Sequence, residues 1–168
     1  LEVLLLMFNA VHPDAGATLM HIRKWLRILV NRSLVLGTID RPSLHDLVLD
    51  YAIAQHEKSA MCDQHRCVVE AFRAARPVDA HGRHKYDVTS IGGDPLTTYV
   101  CAEGGHHVSM AMQQDKLIAV EWLQDVPQDA IVLFAGRGFG TDDVALMASR
   151  AEEARDWWLA GRYWSLVR

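Results

Sequence analysis

Apolar residues recur at helical spacing along most of the chain. Residues 1–8 form an apolar stretch that predicts the end of a helix, and Pro13 disfavours helix at His12. From about residue 17 to residue 30, apolar positions recur three and four residues apart, with basic residues on the other faces. This spacing predicts an amphipathic helix.

The next segment predicts a β-hairpin followed by another helix. Residues 32–36 favour a short strand, turn-forming residues fill 37–42, and a second strand is predicted around Ser43 and Leu44. Asp46 suits the first turn of a helix, and apolar positions at helical spacing follow it. The order helix, helix, hairpin, helix predicts a winged-helix-like unit over residues 1–55.

The remaining chain is predicted to be mostly helical. Helices are expected over 56–76 and 97–113, separated by a polar connector at 77–95, and 116–123 is another apolar stretch. We therefore expect a mainly α protein, in which a winged helix with a short β-hairpin is followed by a helical domain at 56–125. Residues 126–168 are expected to add further helices or to begin a helical repeat.

Within that last part, two features carry explicit predictions. One helix is expected from Asp142 to Leu159, with Gly161 breaking it. The residues Trp157, Trp158 and Trp164 form an aromatic group that is more typical of a core or a repeat interface than of a ligand cage. The segment 130–135 fits either a buried strand or a short helix, because a continuous apolar run has no periodicity that distinguishes the two.

Composition and charge narrow the class of protein. The 168 residues are 50% hydrophobic and 23% charged, which is typical of a soluble globular chain. The net charge is −4, and residues 101–168 hold the whole acidic excess, with six bases and ten acids. The sequence has no basic stripe, so nucleic acid is not an expected partner. No apolar run is long enough to span a membrane, so a membrane is not an expected partner either.

Cysteine and histidine spacing permits a zinc hypothesis. Cys62, His65 and Cys67 lie close together, and His56 offers a fourth ligand. However, the segment has helical periodicity and Cys67 leaves the face that Cys62 and His65 share, so a helix with two unreactive cysteines is favoured and no metal is expected. Three cysteines make no disulfide framework, which favours a reducing, cytoplasmic location.

Two further histidine pairs are expected to be ordinary solvated or packed side chains and not metal ligands. His81 and His84 lie in the polar connector and are expected to be solvated. Of His106 and His107, one is expected to pack beneath its helix while the other faces water.

The most specific pattern lies between residues 26 and 51. Leu26, Leu29 and the run Arg32-Ser33-Leu34 lead into the hairpin, and Leu44-His45-Asp46 opens the next helix. This arrangement resembles the winged-helix domain of STAND ATPases, the NB-ARC group of apoptotic and plant disease-resistance proteins. The beginning, Leu1-Glu2-Val3-Leu4, is similar to the tail of the P-x-E-V-L segment in that family.

The resemblance extends more weakly into the second helical domain of that family. Tyr99, His106 or His107, and Ala111 are similar to its Y…H…A helix. Beyond residue 125 there is no resemblance.

The resemblance implies a role for each residue of the Leu44-His45-Asp46 motif. His45 would contact the β-phosphate of ADP in the closed, inactive state, whereas its place after a hairpin is by itself more typical of a turn or helix-cap residue. Leu44 and Asp46 would support the motif, Asp46 by holding the turn through backbone contacts. Exchange of ADP for ATP would release the winged helix and lead to a homo-oligomer, in cell-death or defence signalling. The partner of this segment would be the nucleotide-binding domain of the same parent chain.

The chain departs from the family in one large respect. It contains no G-x-x-x-x-G-K-[ST] phosphate loop and no apolar strand ending in paired acids. By itself it is therefore not expected to be an enzyme, although the parent would be an ATPase. Because it begins with Leu1 rather than Met, we interpret it as a regulatory fragment of a longer protein.

Two other functions compete with this interpretation. A winged-helix DNA-binding regulator needs polar or basic side chains on its recognition helix, and residues 46–55 offer only Gln55. A small α/β phosphate-binding enzyme could use the glycine-rich segment 136–140. That function requires 130–135 to be a central strand, and Asp142 and Asp143 would repel a phosphate at the following helix.

Overall fold

The computed structural model describes residues 1–80, 94–125 and 141–167. Within them the chain is mainly helical and has one short antiparallel hairpin, which confirms the predicted fold class. The chain divides into two compact units, Leu1–Met61 (unit 1) and Cys62–Arg168 (unit 2). None of the helices in the described ranges combines the length and apolarity that crossing a membrane requires.

Unit 1 contains the predicted helix, helix, hairpin, helix order. Its elements are α1 (Glu2–Val11), a 3-10 turn (Pro13–Ala15), α2 (Leu19–Asn31), β1 (Val35–Gly37), β2 (Pro42–Leu44) and α3 (Asp46–Ala54). A fourth helix, α4 (Lys58–Ala74), begins in unit 1 and continues into unit 2.

Local contacts fix the ends of these elements. Thr18 and His21 form a capping box at the start of α2, in which each side chain accepts from the other's backbone N–H. The hairpin pairs Val35 with Leu44 and Gly37 with Pro42. Gly37 has φ +81°, and an added Cβ would lie 2.4 Å from the carbonyl oxygen of Arg41, so this turn requires glycine.

Unit 2 is a set of packed helices. They are the rest of α4, α5 (Pro95–Ala111), α6 (Leu117–Asp125), α7 (Thr141–Glu153) and α8 (Trp157–Val167). α7 packs against α8 and α5, and the buried hydroxyl of Tyr163 on α8 donates to the Ala119 carbonyl on α6 at 3.0 Å. At Gly104 of α5, a Cβ would lie 3.2 Å from Trp122 Nε1, so glycine lets α6 approach closely.

The prediction of one helix from Asp142 to Leu159 is wrong. α7 ends at Glu153, Arg155 adopts φ +58°, and Asp156 caps the start of α8, where its side chain accepts from the Leu159 N–H. The N–H groups of Arg155 and Asp156 return to the carbonyls of α7, which forms a Schellman ending with arginine at the left-handed position. Gly161 lies inside α8 and does not break it.

Of the two expected roles for the C-terminal tryptophans, core or repeat interface, the core is excluded for Trp157 and Trp158 and the repeat interface stays a prediction. Trp157 and Trp158 are 68% and 65% exposed, because they occupy the first turn of α8 on its solvent side. Trp164 is half-buried, and its indole N–H donates to the Glu152 carboxylate at 2.8 Å.

Candidate functional site

The junction of β2 and α3 in unit 1 holds the motif histidine. His45 is the N-cap of α3, with extended backbone, and its Nδ1 accepts from the Leu47 N–H at 3.2 Å. A neutral imidazole that accepts at Nδ1 carries its proton on Nε2, so the exposed ring keeps Nε2–H as a donor. The N–H groups of Leu47, Val48 and Leu49 in the first turn of α3 are bonded to His45, and the positive end of the helix dipole at this turn favours an anion.

The other two motif residues differ in how closely they match their expected roles. Leu44 pairs with Val35 in the hairpin, and it thereby fixes the backbone that leads into His45. Asp46 begins α3, but within the described ranges its exposed carboxylate makes no hydrogen bond. The backbone contact that was expected of Asp46 is instead made by the side chain of His45.

Beside His45, unit 1 exposes an unusual amount of apolar surface. α3 contains no buried residue, although most of its residues are apolar. We define the α3 surface as the large apolar side chains of this helix that are exposed, which are Leu47, Leu49, Tyr51 and Ile53. Leu47 and Tyr51 are 71% and 68% exposed. Exposed apolar patches of this kind are typical of interaction sites.

The α3 surface also bears on the DNA-binding alternative. α3 carries the acids Asp46 and Asp50 and contains no basic residue. A recognition helix in the major groove lies close to the phosphates, which its two acids would repel, and α3 has none of the Arg, Lys, Asn and Gln side chains that make the commonest contacts to purine bases. No observation in unit 1 therefore favours DNA as the ligand of α3.

Unit 2 contains a hydrogen-bonded chain of aromatic side chains that sequence reasoning missed. His65 Nδ1 on α4 lies 2.9 Å from His107 Nδ1 on α5, and His107 Nε2 lies 3.0 Å from the Tyr99 hydroxyl. The ring of Phe72 packs in a T-shaped arrangement with both Tyr99 and His107. We call Tyr99, His107 and His65 the histidine chain. His65 and His107 are 42 positions apart, so no sequence motif signals their pairing.

Burial keeps the histidine chain neutral. Desolvation, and then the neighbouring His106, lower the pKa of His65 to about 4. Desolvation, followed by His65 and His106, lowers the pKa of His107 to about 3. Desolvation, followed by Glu103, raises the pKa of Tyr99 to about 12.

The prediction for the neighbouring histidines 106 and 107 is confirmed, since His107 is 6% exposed while His106 faces water. The two are adjacent residues of the same type, so the sequence did not indicate which one is buried.

The cysteines behave as structural side chains. Cys62, Cys67 and Cys101 are free, and burial raises the pKa of the Cys101 thiol to about 11. Across the described ranges, no group of three His, Cys, Asp or Glu side chains is arranged to hold a metal ion. His65 uses Nδ1 for His107, while His56 is exposed beyond the end of α3. His81 and His84 lie outside the described residues.

Two sequence hypotheses likewise fall outside the described residues. They are the strand or helix at 130–135 and the glycine-rich segment at 136–140. The helix expected after them begins at Thr141.

Neither a protein-family model, nor a curated protein, nor a solved structure matches this chain. A function must therefore be argued from the geometry around His45, from the exposed α3 surface and from the motif that contains them.

Proposed function

We propose that this chain is the regulatory part of a nucleotide-dependent signalling switch of the STAND, or NB-ARC, class. In this role unit 1 docks on a nucleotide-binding domain of the same parent polypeptide and holds it in the ADP-bound, inactive state. The observation that carries the proposal is His45, which caps α3 through Nδ1 and keeps Nε2–H as an exposed donor.

The chemistry of His45 suits a phosphate oxygen. An N–H donor to an anionic oxygen makes a stronger hydrogen bond than one between neutral groups. The start of α3 adds the favourable end of the helix dipole. One side chain does not form a nucleotide site, so the remaining contacts would come from the docked domain, which would supply the phosphate loop and the ATPase activity.

The α3 surface supports docking because its side chains need a covering partner. The apolar face of a helix is normally covered by another segment, and in unit 1 α3 buries none of its residues. Covering Leu47 and Tyr51 would remove their apolar surface from water, which stabilises the docked state by about 25 cal/mol for each Å² buried. Replacement of ADP by ATP would weaken this docking, expose the surface and permit homo-oligomer formation in a cytoplasmic cell-death or defence pathway.

The test uses the protein encoded by the full reading frame. We expect a G-x-x-x-x-G-K-[ST] sequence upstream of this segment, and ADP should be released when the purified protein is denatured. His45→Ala should weaken ADP retention by about ten-fold, because one charge-assisted hydrogen bond is lost. Chromatography of the released nucleotide, with equilibrium binding of ADP, measures the effect.

His56→Ala is the matched control, since His56 is an exposed histidine of the same unit that lies outside the motif. It should retain ADP as the unchanged protein does. A reading frame without a phosphate loop, or equal ADP affinity in the two variants, would refute the proposal. A salt-dependent mobility shift on duplex DNA would instead support the DNA-binding function.

A further inference from the structure

α2 of unit 1 exposes positive charge and carries no acid. The helix packs on α1 and β1, and it buries Ile22 and Leu26. Its three bases, Arg23, Lys24 and Arg27, are all exposed, and the helix contains no Asp or Glu. None of these bases belongs to a salt bridge in the parts of the chain that the structure describes. This side of α2 therefore presents cations whose charge no described acid pairs with.

The same side of α2 also exposes apolar side chains. Met20 and Ile28 are 79% and 42% exposed. They share a row with Lys24 at a spacing of four residues, and this row runs beside the row of Arg23 and Arg27. We define the α2 surface as the exposed side chains of these two rows, which are Met20, Arg23, Lys24, Arg27 and Ile28.

α3 has the opposite charge and a similar arrangement. Asp46 and Asp50 lie one helical turn apart, are exposed, and belong to no salt bridge among the described residues. Leu47 and Tyr51, the two most exposed members of the α3 surface, form the adjacent row. The α2 and α3 surfaces are thus complementary in charge, and both offer apolar area that is still in contact with water.

The rows of the two helices match when the helices lie antiparallel. In each helix the second row follows the charged row by one residue, so the two rows have the same order around both helix axes. Antiparallel helices that share this order bring charged row against charged row and second row against second row. Arg23 and Arg27 then face Asp46 and Asp50 at the same one-turn spacing.

The charge balance of unit 1 favours a second copy of this chain as the partner of α2. Leu1–Met61 contains six bases and six acids. A nucleic acid or an anionic membrane therefore meets no net attraction from unit 1 as a whole. A second copy instead brings its acids to α2 on one helix, at matching spacing and beside apolar side chains.

We propose that copies of this chain associate head to tail, with the α2 surface of one copy on the α3 surface of the next. Because the two surfaces differ, a pair of copies keeps one of each free, so the contact builds a ring or a filament. The inference rests on the proposed function for its order of events, since there α3 becomes free only after ADP is replaced. It names the contact through which the released copies assemble.

Sedimentation velocity of the 168-residue chain, measured without nucleotide at increasing concentration, tests this contact. α3 is already uncovered in this chain, so the average mass should rise with concentration beyond that of a dimer. One helix pairing is smaller than a standard interface, so we expect micromolar and not nanomolar affinity. Added salt should weaken the association, because exposed charges are screened.

Charge reversal on each surface tests the pairing itself. Arg23→Glu with Arg27→Glu is the α2 variant, and Asp46→Lys with Asp50→Lys is the α3 variant. Each should sediment as a monomer, because like charges would face each other across the contact. An equimolar mixture should associate again, since each variant meets its opposite charge on the other.

A matched control and a second measurement complete the test. Arg41→Glu with Lys58→Glu changes the charge of unit 1 by the same amount as the α2 variant, at exposed positions outside α2 and α3. It should associate as the unchanged chain does. The α2 variant keeps its α3 surface, so when added to the unchanged chain it should end the growing assemblies and lower their average mass. This measurement does not depend on whether the α3 variant folds.

A chain that stays monomeric at every concentration overturns the proposal and leaves the ADP test of His45 unaffected. The proposal is also overturned if the α2 variant associates as the unchanged chain does, or if the mixture of the two folded variants stays monomeric. Equal loss of association in the control and in the α2 variant overturns it as well. A monomeric chain that binds phosphatidylserine vesicles, when the α2 variant does not, would assign α2 to a lipid surface instead.

Discussion

At the scale of single residues, the histidine chain has one internal degree of freedom. Each neutral imidazole carries one proton, so a bond between His65 Nδ1 and His107 Nδ1 requires one ring to donate and the other to accept. If Tyr99 donates to His107 Nε2, then His107 donates to His65. If Tyr99 accepts instead, both bonds reverse, and the three side chains change roles together.

The histidine chain predicts that stability falls in acid. Well above pH 6.5, the ordinary histidine pKa, both imidazoles are neutral in the folded and unfolded chain. As the pH falls from 6.5 towards 4, the unfolded chain binds protons that folded His65 and His107 exclude, because their pKa values are about 4 and about 3. The free energy of unfolding must therefore decrease over that window. Urea unfolding at several pH values between 7.5 and 4.5 measures it.

Two variants test whether this pH dependence arises from the histidine chain. His65→Asn keeps a hydrogen-bonding side chain without a titrating ring, so the decrease between pH 6.5 and 4.5 should become shallower. His56→Asn removes an exposed histidine and should leave the slope unchanged. An identical slope in the unchanged chain and in His65→Asn would rule out this assignment.

At the scale of elements, the junction of α7 and α8 shows how a helix boundary can be misplaced. Glycine is the residue that most often ends a helix, so the sequence favoured a break at Gly161. The break lies at Arg155, where a non-glycine residue accepts the left-handed conformation and Asp156 caps the next helix. Asp156 is a residue type that often caps a helix, but Arg155 before it is not a residue type that usually ends one, so the sequence did not indicate a break there.

A pair of glycine substitutions tests these boundaries. Gly161→Ala should raise the free energy of unfolding by about 0.5–1 kcal/mol, because Gly161 is inside a helix and its Cβ would meet open space. Gly37→Ala should lower it, because φ is +81° there and the Cβ would collide with the Arg41 carbonyl. Thermal and urea unfolding measure both. Destabilisation by Gly161→Ala would show that α8 is interrupted at that residue.

At the scale of the whole molecule, the two units differ in how much they bury. Among the described residues, the buried hydrophobic side chains of unit 1 are Ala17, Ile22, Leu26 and Val35. Those of unit 2 are far more numerous and include the fully buried Tyr163 and Met147. Local stability follows buried apolar contact, so the units should open with different free energies.

Native-state hydrogen exchange should resolve this difference. Amides of α3, a helix with no buried residue, should exchange at least about ten-fold faster than those of α5, whose buried positions include Val100 and Val108. If the α3 surface docks on a second domain, α3 should become protected in the full-length protein. Equal protection of α3 and α5 in this chain would contradict the unequal cores.

The sequence by itself determined most of the helices, the hairpin and the position of His45, but not the boundary between α7 and α8. Those features depend on local spacing, on turn-forming residues and on caps, all of which act over a few neighbouring positions. The capping role of His45 was predicted from its place after the hairpin, and its Nδ1 bond to Leu47 required the structure.

Only the tertiary structure decided the contacts between distant segments. It paired His65 with His107 and put Gly104 of α5 against Trp122 of α6. It also left α3 uncovered, although the periodicity of α3 resembles that of a packed helix. The physical reason is that periodicity states which side chains share a face, whereas burial depends on which other segment covers that face.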